Sequence, residues 1–411
     1  MAAAEEGDMN ACQSGQTALA ARLLGRFAAG AADDGSNLIF SPLSIHVALA
    51  LMSAGASGST LDEILAVAGA PSREELMAFV SRDMVERVLA DRSGVGGPCV
   101  SFACGAWTDK RRPIKPAYRD TIVGTFMGRA STVDFRDHPV ESRKKINTWV
   151  AEVTKGLITN IVSPYQQSTN TVSIVVNAIY FKGEWCDPFE KANTVRRRFH
   201  RLGGSSVKVP FMQSWWDQQI ACHDGFKVLK LPYKVTGNGA LNRKLRQSMP
   251  KFSMCIFLPD ACDDLQWLME KMTSSPEFLH DHLPTESVPV GKFRVPRFKL
   301  SFGTSIIDDL KSLGLHLPFD PTMAMMTEMV VADATAEPIF VGEVIHKAVI
   351  EVNEEGCEAA AATAFEADEG CSMYEPETVD FVADHPFAFF IMEETSGAIV
   401  FAGHVLDPSK E

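Results

Sequence analysis

"EVNEEGCEAAAATAFEADEGCSMYEPETVDFVADHPF", residues Glu351–Phe387, joins two kinds of text. Its start alternates, with Ile350 and Val352 set against Glu351 and Asn353, as a half-buried strand does. It then becomes small and alanine-rich from Ala359 to Ala364, and acidic at Glu366, Asp368, Glu369 and Glu375. Such a segment is too small to build a core and too acidic to bury without partners. Its purpose has to come from the rest of the chain.

The chain has 411 residues, 46% of them hydrophobic, enough for a large core; length alone sets a prior of two or three domains. The formal charge is 39 − 52 = −13, which argues against nucleic-acid binding, since phosphate contacts need clustered Lys and Arg. Two short basic runs, Arg143-Lys144-Lys145 and Arg196-Arg197-Arg198 with His200 and Arg201, read first as solvated surface. The N-terminal MAAAEEGDMNACQS is acidic and has no basic start or apolar run of a signal peptide. No run of about 18 apolar residues suggests a membrane span. The nine cysteines are scattered without zinc-ligand spacing, and no Asn-x-Ser/Thr site occurs. Free thiols in a reducing compartment follow, so the expected location is the cytoplasm, or cytoplasm and nucleus.

Helices fall mostly early. Leu19, Leu23 and Phe27 recur every four residues; Ser41 and Pro42 can start a helix; Ser72 with Glu75 forms a second start signal. Strands fall mostly late. TVSIVVNAIYF (171–181) is apolar throughout and suits a strand buried on both faces, and FSMCIFLPD (252–260) is similar. KFRVPRFKLSFG (292–303) alternates with basic residues, which predicts one wet face. PFAFFIMEETSGAIVFAGHV (386–405) reads as a hairpin, and Val235–Lys251 is the most loop-like internal stretch. The order of elements predicts an α+β fold in one large unit.

Patterns of catalysis are absent: no GxGxxG, P-loop, HExxH or GxSxG is present. His280-Asp281-His282 offers two ligands without an identifiable third, and an exposed loop is the plainer reading. Cys371 lies among acids, which raise a thiol pKa, so an enzyme using it is disfavoured.

Seven segments together carry a resemblance. NLIFSPLSI, NAIYFKGEW, GSSVKVPFM, DGFKVLKLPY, VPRFKLSFG, HKAVIEVNEEG and DFVADHPF occur in this order and span nearly the whole chain. In them the chain resembles the serpins, in particular the plant branch of cereal-grain serpins. The resemblance implies one domain over 1–411, with three β-sheets, about nine helices and a short disordered N-terminus over about 1–13. It also implies an exposed reactive loop over about 354–380, a protease as partner, and no enzyme activity, cofactor or metal. In the family a protease of the serine class, or one of the cysteine class, cleaves the loop and forms an acyl-enzyme. The loop then enters the large sheet as a new strand before the ester hydrolyses. A monomer that binds neither nucleic acid nor membrane is expected.

The residues can be tested against that role. Every second residue from Cys357, namely Cys357, Ala359, Ala361, Thr363, Phe365 and Ala367, is uncharged. Glu358, Ala360, Ala362, Ala364, Glu366 and Asp368 hold the acids, and only Glu369 breaks the pattern. Charge segregated on a period of two fits a strand with two unlike faces, whereas the alanine content alone would fit a helix. About a dozen new backbone hydrogen bonds, at roughly 1 kcal/mol each, would supply on the order of 10 kcal/mol.

By family spacing the hinge is Glu354, Glu355, Gly356, Cys357, Glu358, Ala359, Ala360, Ala361 and Ala362, and the reactive bond is Gly370–Cys371. Many relatives carry a basic residue before the cut, and Gly370 has no side chain. Asp368 or Glu369 would serve as alternative cleavage residues for an enzyme with a basic pocket. Cys357 replaces a usual Thr or Ser, and Ala388 replaces a larger apolar residue, which leaves either a core gap or a compensating neighbour. These departures keep open a second reading, a non-inhibitory serpin with a storage, chaperone-like or binding role. Ser41, Ser44, Asn177 and His346 match the family's polar cluster where the large sheet opens. Trp185 and Lys347, with Glu354, match the region near the top of that sheet.

Overall fold

The structure, a computed structural model, describes residues 2–164, 171–235, 249–331, 338–356 and 377–411. Among them are nine α-helices: α1 (Ala2–Asp34), α2 (Pro42–Gly55), α3 (Gly58–Ala68), α4 (Arg73–Phe79), α5 (Pro116–Phe126), α6 (Pro139–Val153), α7 (Leu265–Ser274), α8 (Phe278–Asp281) and α9 (Ile307–Ser312). The first strands are β1 (Leu38–Phe40), β2 (Cys99–Asp109), β3 (Arg129–Val133), β4 (Ser173–Lys182), β5 (Val195–His200) and β6 (Ser206–Met212). Then come β7 (Gln218–His223), β8 (Phe226–Pro232), β9 (Phe252–Pro259), β10 (Ser287–Val288) and β11 (Val290–Pro296). The last are β12 (Phe298–Ser305), β13 (Glu343–Val352), β14 (Val379–Val382), β15 (Phe387–Glu393) and β16 (Ile399–Val405). They form three sheets: β12-β13-β4-β2-β3, β1-β16-β15-β9-β8-β7-β10, and β14-β11-β6-β5.

The local signals act as their chemistry requires. Ser41 caps α2, its hydroxyl accepting from Ser44 N–H at 3.1 Å, and Pro42 occupies the first turn. Ser72 caps α4 through Glu75 N–H. The 386–405 stretch is the antiparallel hairpin β15–β16. KFRVPRFKLSFG divides between β11 and β12, interrupted at Arg297, and the expected wet face appears at Lys299 and Ser301. Helix α1 begins at Ala2, within the segment over 1–13, and Cys12 is fully buried. Alanine propensity and acids near a helix N-terminus account for that. Ala388 is buried between Phe257 and His404 on the neighbouring strands, so large cross-strand partners flank the small side chain.

One contiguous core joins all three sheets to α1 and α2. The five-stranded sheet has a second apolar layer on its other face, built from Ile174, Val176 and Tyr180 of β4, Ile345 and Val349 of β13, and Ile146, Trp149 and Val150 of α6. β4 is therefore buried on both faces, as its unbroken apolar run predicts. The Trp107 and Trp149 rings meet edge-on at 5.0 Å, and Asn147 of α6 bonds the backbone of Ile161 and Val162. Trp149→Ala should cost about 3–5 kcal/mol and lower the melting temperature, read by thermal unfolding monitored by circular dichroism.

Candidate functional site

β4 and β13 run parallel and are paired in register from Ile174↔Glu343 to Phe181↔Ile350. Both strands end at the same edge, where residues 353–356 reverse the chain. Asn353 and Gly356 exchange backbone hydrogen bonds of 2.9 and 3.2 Å, and Glu355 N–H donates to Asn353 Oδ1 at 3.0 Å. Gly356 has φ +112°, and a Cβ there would lie 2.2 Å from Gly183 O, so both its conformation and its surroundings require glycine.

The turn is bound to the segment after β4. Trp185 N–H donates to Glu355 O at 3.0 Å, its indole Nε1–H to Asn353 O at 2.9 Å, and its ring stacks on Tyr233 at 4.5 Å. The buried Glu354 carboxylate accepts from the Thr194 hydroxyl at 2.6 Å and faces Arg297 at 3.5 Å. Lys191 pairs with Glu355 at 2.5 Å. Burying a carboxylate without such partners is costly.

Deeper along the same seam, side chains cross it. His346 Nδ1 lies 3.0 Å from Asn177 Oδ1, and Ser41 N–H donates to His346 Nε2 at 3.1 Å. Because Nε2 accepts, the proton resides on Nδ1, which then donates to Asn177. Asn177 Nδ2 donates to Ser44 O at 2.7 Å. All four residues are buried, and burial holds the His346 imidazole down to about 3. Ser41, Ser44, Asn177 and His346 thus form one buried hydrogen-bonded cluster.

Lys347 does not join Trp185 and Glu354. It pairs in register with Ala178, next to the polar cluster, and its ammonium donates to Asn160 O at 2.7 Å on the α6 side. Desolvation lowers its pKa. Arg297, Thr194, Asn353 and Tyr233 belong to the site and were not legible as such in sequence; the NEEG turn at 353–356 was the only local signal. The reactive bond Gly370–Cys371, the alternative cleavage residues Asp368 and Glu369, and hinge residues Cys357 to Ala362 lie outside the described residues, as does 236–248 of the expected surface loop. His280 and His282 bond the carbonyls of Gly397 and Phe278, and no metal-holding group occurs among the described residues.

The sequence model described as "Serpin (serine protease inhibitor)" matches residues 14–408. The chain belongs to the serpin family. Serpin-Z2A of rice (Oryza sativa subsp. japonica) is 48% identical over 96% of this chain and 97% of its own length. Serpin-ZX of barley (Hordeum vulgare) is 43% identical over 96% of each. Among solved structures, Arabidopsis AtSerpin1 in its native stressed conformation superposes with a TM-score of 0.87 at 37% identity, covering 98% of this chain and 99% of that one. The serpin is thus of the plant Z-type branch, with the three-sheet fold of its family. No described helix is long and apolar enough to cross a membrane.

Three buried imidazoles give this serpin a defined acid response. Burial lowers His46 and His404 to about 4 and His346 to about 3, whereas an unfolded histidine titrates near about 6.5. Below that value the unfolded chain binds protons that the fold refuses, so stability falls as pH drops from about 6.5 toward about 4. Each group contributes a slope of up to about 1.4 kcal/mol per pH unit. Melting temperature measured from about pH 7 to about pH 5 should fall, and His346→Gln should flatten the slope whatever it does to the absolute value.

Proposed function

We propose that this serpin inhibits proteases by irreversible trapping. The observation that carries the reading is the seam between β4 and β13: a parallel pair whose open end adjoins the turn from which the loop departs. A strand following a reversal at 353–356 runs antiparallel to β13, and so antiparallel to β4 as well. It can bond both at once, exchanging eight parallel register pairs for two antiparallel ladders. The two-residue alternation of Cys357–Asp368 supports such a strand.

The chemistry of capture is balanced at one bond. The hydroxyl oxygen of a serine protease attacks the carbonyl carbon of Gly370, and the Gly370–Cys371 amide breaks. The new Cys371 amine takes the proton, leaving an ester between protease and Gly370; a cysteine protease would leave a thioester. Insertion then carries the acylated end to the far edge of the sheet before water completes the reaction. Cleavage after Asp368 or Glu369 would shorten the inserted segment. The partner in this reading is one protease molecule, and the serpin acts as a monomer in cytoplasm, or in cytoplasm and nucleus.

The non-inhibitory reading draws on Gly370 and Cys357, which depart from the inhibitory pattern. Incubation with a Glu-specific serine protease under reducing conditions separates the two. Trapping gives a denaturant-stable band at the summed mass. Loop cleavage with no rise in melting temperature would sink the inhibitory reading. Gly370→Arg should redirect capture to a trypsin-like protease. Ala361→Glu, which puts charge on the uncharged set, should turn inhibitor into substrate: cleavage persists and the summed-mass band disappears.

A further inference from the structure

A cavity of about 420 Å³ lies between the four-stranded sheet and the first residues of β12. Four cations line it: Arg196 and Lys208 from β5 and β6, Arg297 between β11 and β12, and Lys299 of β12; Glu351 is the one carboxylate in the lining. A positive hollow of this kind runs against the −13 charge of the whole chain. Its size falls within the roughly 300–1,000 Å³ range of small-molecule sites.

Among the described residues, the cations of the β5–β6 wall stand close together without counter-charges. Arg198 stands opposite Lys208 in the β5–β6 ladder, and Arg196 lies two residues along on the same face. Like charges facing across strands repel. Arg196 Nη2 donates to Lys208 O at 2.8 Å, which holds its guanidinium over the strand pair. Among the described residues Arg196, Arg198 and Lys208 form no ion pair. On the opposite wall Arg297 faces Glu354 at 3.5 Å, and Lys299 meets the exposed chain-end residue Glu411 at 2.7 Å. A ligand with separated negative charges could bridge the walls by replacing Glu411 on Lys299 while engaging Arg196 and Lys208.

We propose that this cavity binds a small oligophosphate, two or more linked phosphoryl groups recognised by Arg196, Lys208 and Lys299. Arg fits phosphate oxygens in a fork and Lys supplies a point charge. The readout is binding, so the outcome is independent of whether the serpin traps a protease.

The probe is inorganic tripolyphosphate, titrated calorimetrically into the full-length protein at a fixed ionic strength of about 0.15 M. Saturable one-to-one binding is expected, with orthophosphate much weaker. Arg196→Ser and Lys208→Ser should each weaken it about tenfold or more, as loss of a charge-assisted contact implies. Lys208→Arg should retain binding, and Lys144→Ser, in the other basic run, should leave it unchanged. Absence of saturable heat, equal binding of orthophosphate, or equal loss in the Lys144 variant would each overturn the site.

Discussion

Backbone pairing between β4 and β13 constrains everything around it. Each strand is sealed on one face by the main core and on the other by the α6 layer, so neither can leave a donor or acceptor unpaired. Water cannot substitute there. The only replacement that keeps every group bonded is another strand. Because β4 and β13 are parallel and their other neighbours already occupy them, this seam is where one antiparallel segment can serve two partners at once. The fold is closed at this line and also divisible at it.

Side chains then set how readily it divides. Asn177 and His346 bond across the seam, and the cluster extends through Ser41 and Ser44 to the start of α2. Breaking it leaves buried polar atoms at about 1–3 kcal/mol each until new partners arrive. Those groups therefore oppose opening more than they oppose the opened, refilled state. On the other face Lys347 ties β13 to Asn160, and Asn147 ties the following residues to α6, so the helix and its trailing segment must shift together. At the upper end, Arg297 faces Glu354 of the turn and also lines the cationic cavity. The turn and the cavity thus share one guanidinium.

Much of this was legible in sequence because it is local. The apolar run of β4, the caps at Ser41 and Ser72 and the β15–β16 hairpin each follow from neighbours a few residues apart. The polar cluster joins residues from three distant segments, which only motif resemblance brings together in sequence. Lys347 shows the limit of that route. Motif position put it near Trp185, whereas strand register puts it opposite Ala178, because one residue along a strand reverses the face and several change the level. Arg297 and Thr194 reach Glu354 across 57 and 160 residues, and no spacing rule foretells such contacts. The helical start at Ala2 rests on alanine propensity, a weaker signal than the caps at Ser41 and Ser72.

The alternation in the loop acquires a direction from the two faces of the sheet. Toward the main core the seam presents Val344, His346, Ala348 and Ile350, with His346 held neutral by burial. Among the described residues no Lys or Arg is buried there, so an acid entering on that face would lack a partner. Toward α6 the seam presents Ile345, Lys347 and Val349, and Lys347 is only half-buried, with its ammonium already partly desolvated. A carboxylate placed beside it gains a counter-charge and retains access to water. Under the inhibitory reading, then, Glu358, Glu366 and Asp368 have one tolerable side, and Cys357, Ala359 and Ala361 must take the core side. The smallness of Cys357, Ala359 and Ala361 suits the part of the core face already packed around His346 and α2, whereas Phe365, further along the same set, would need room at the far end of the strand.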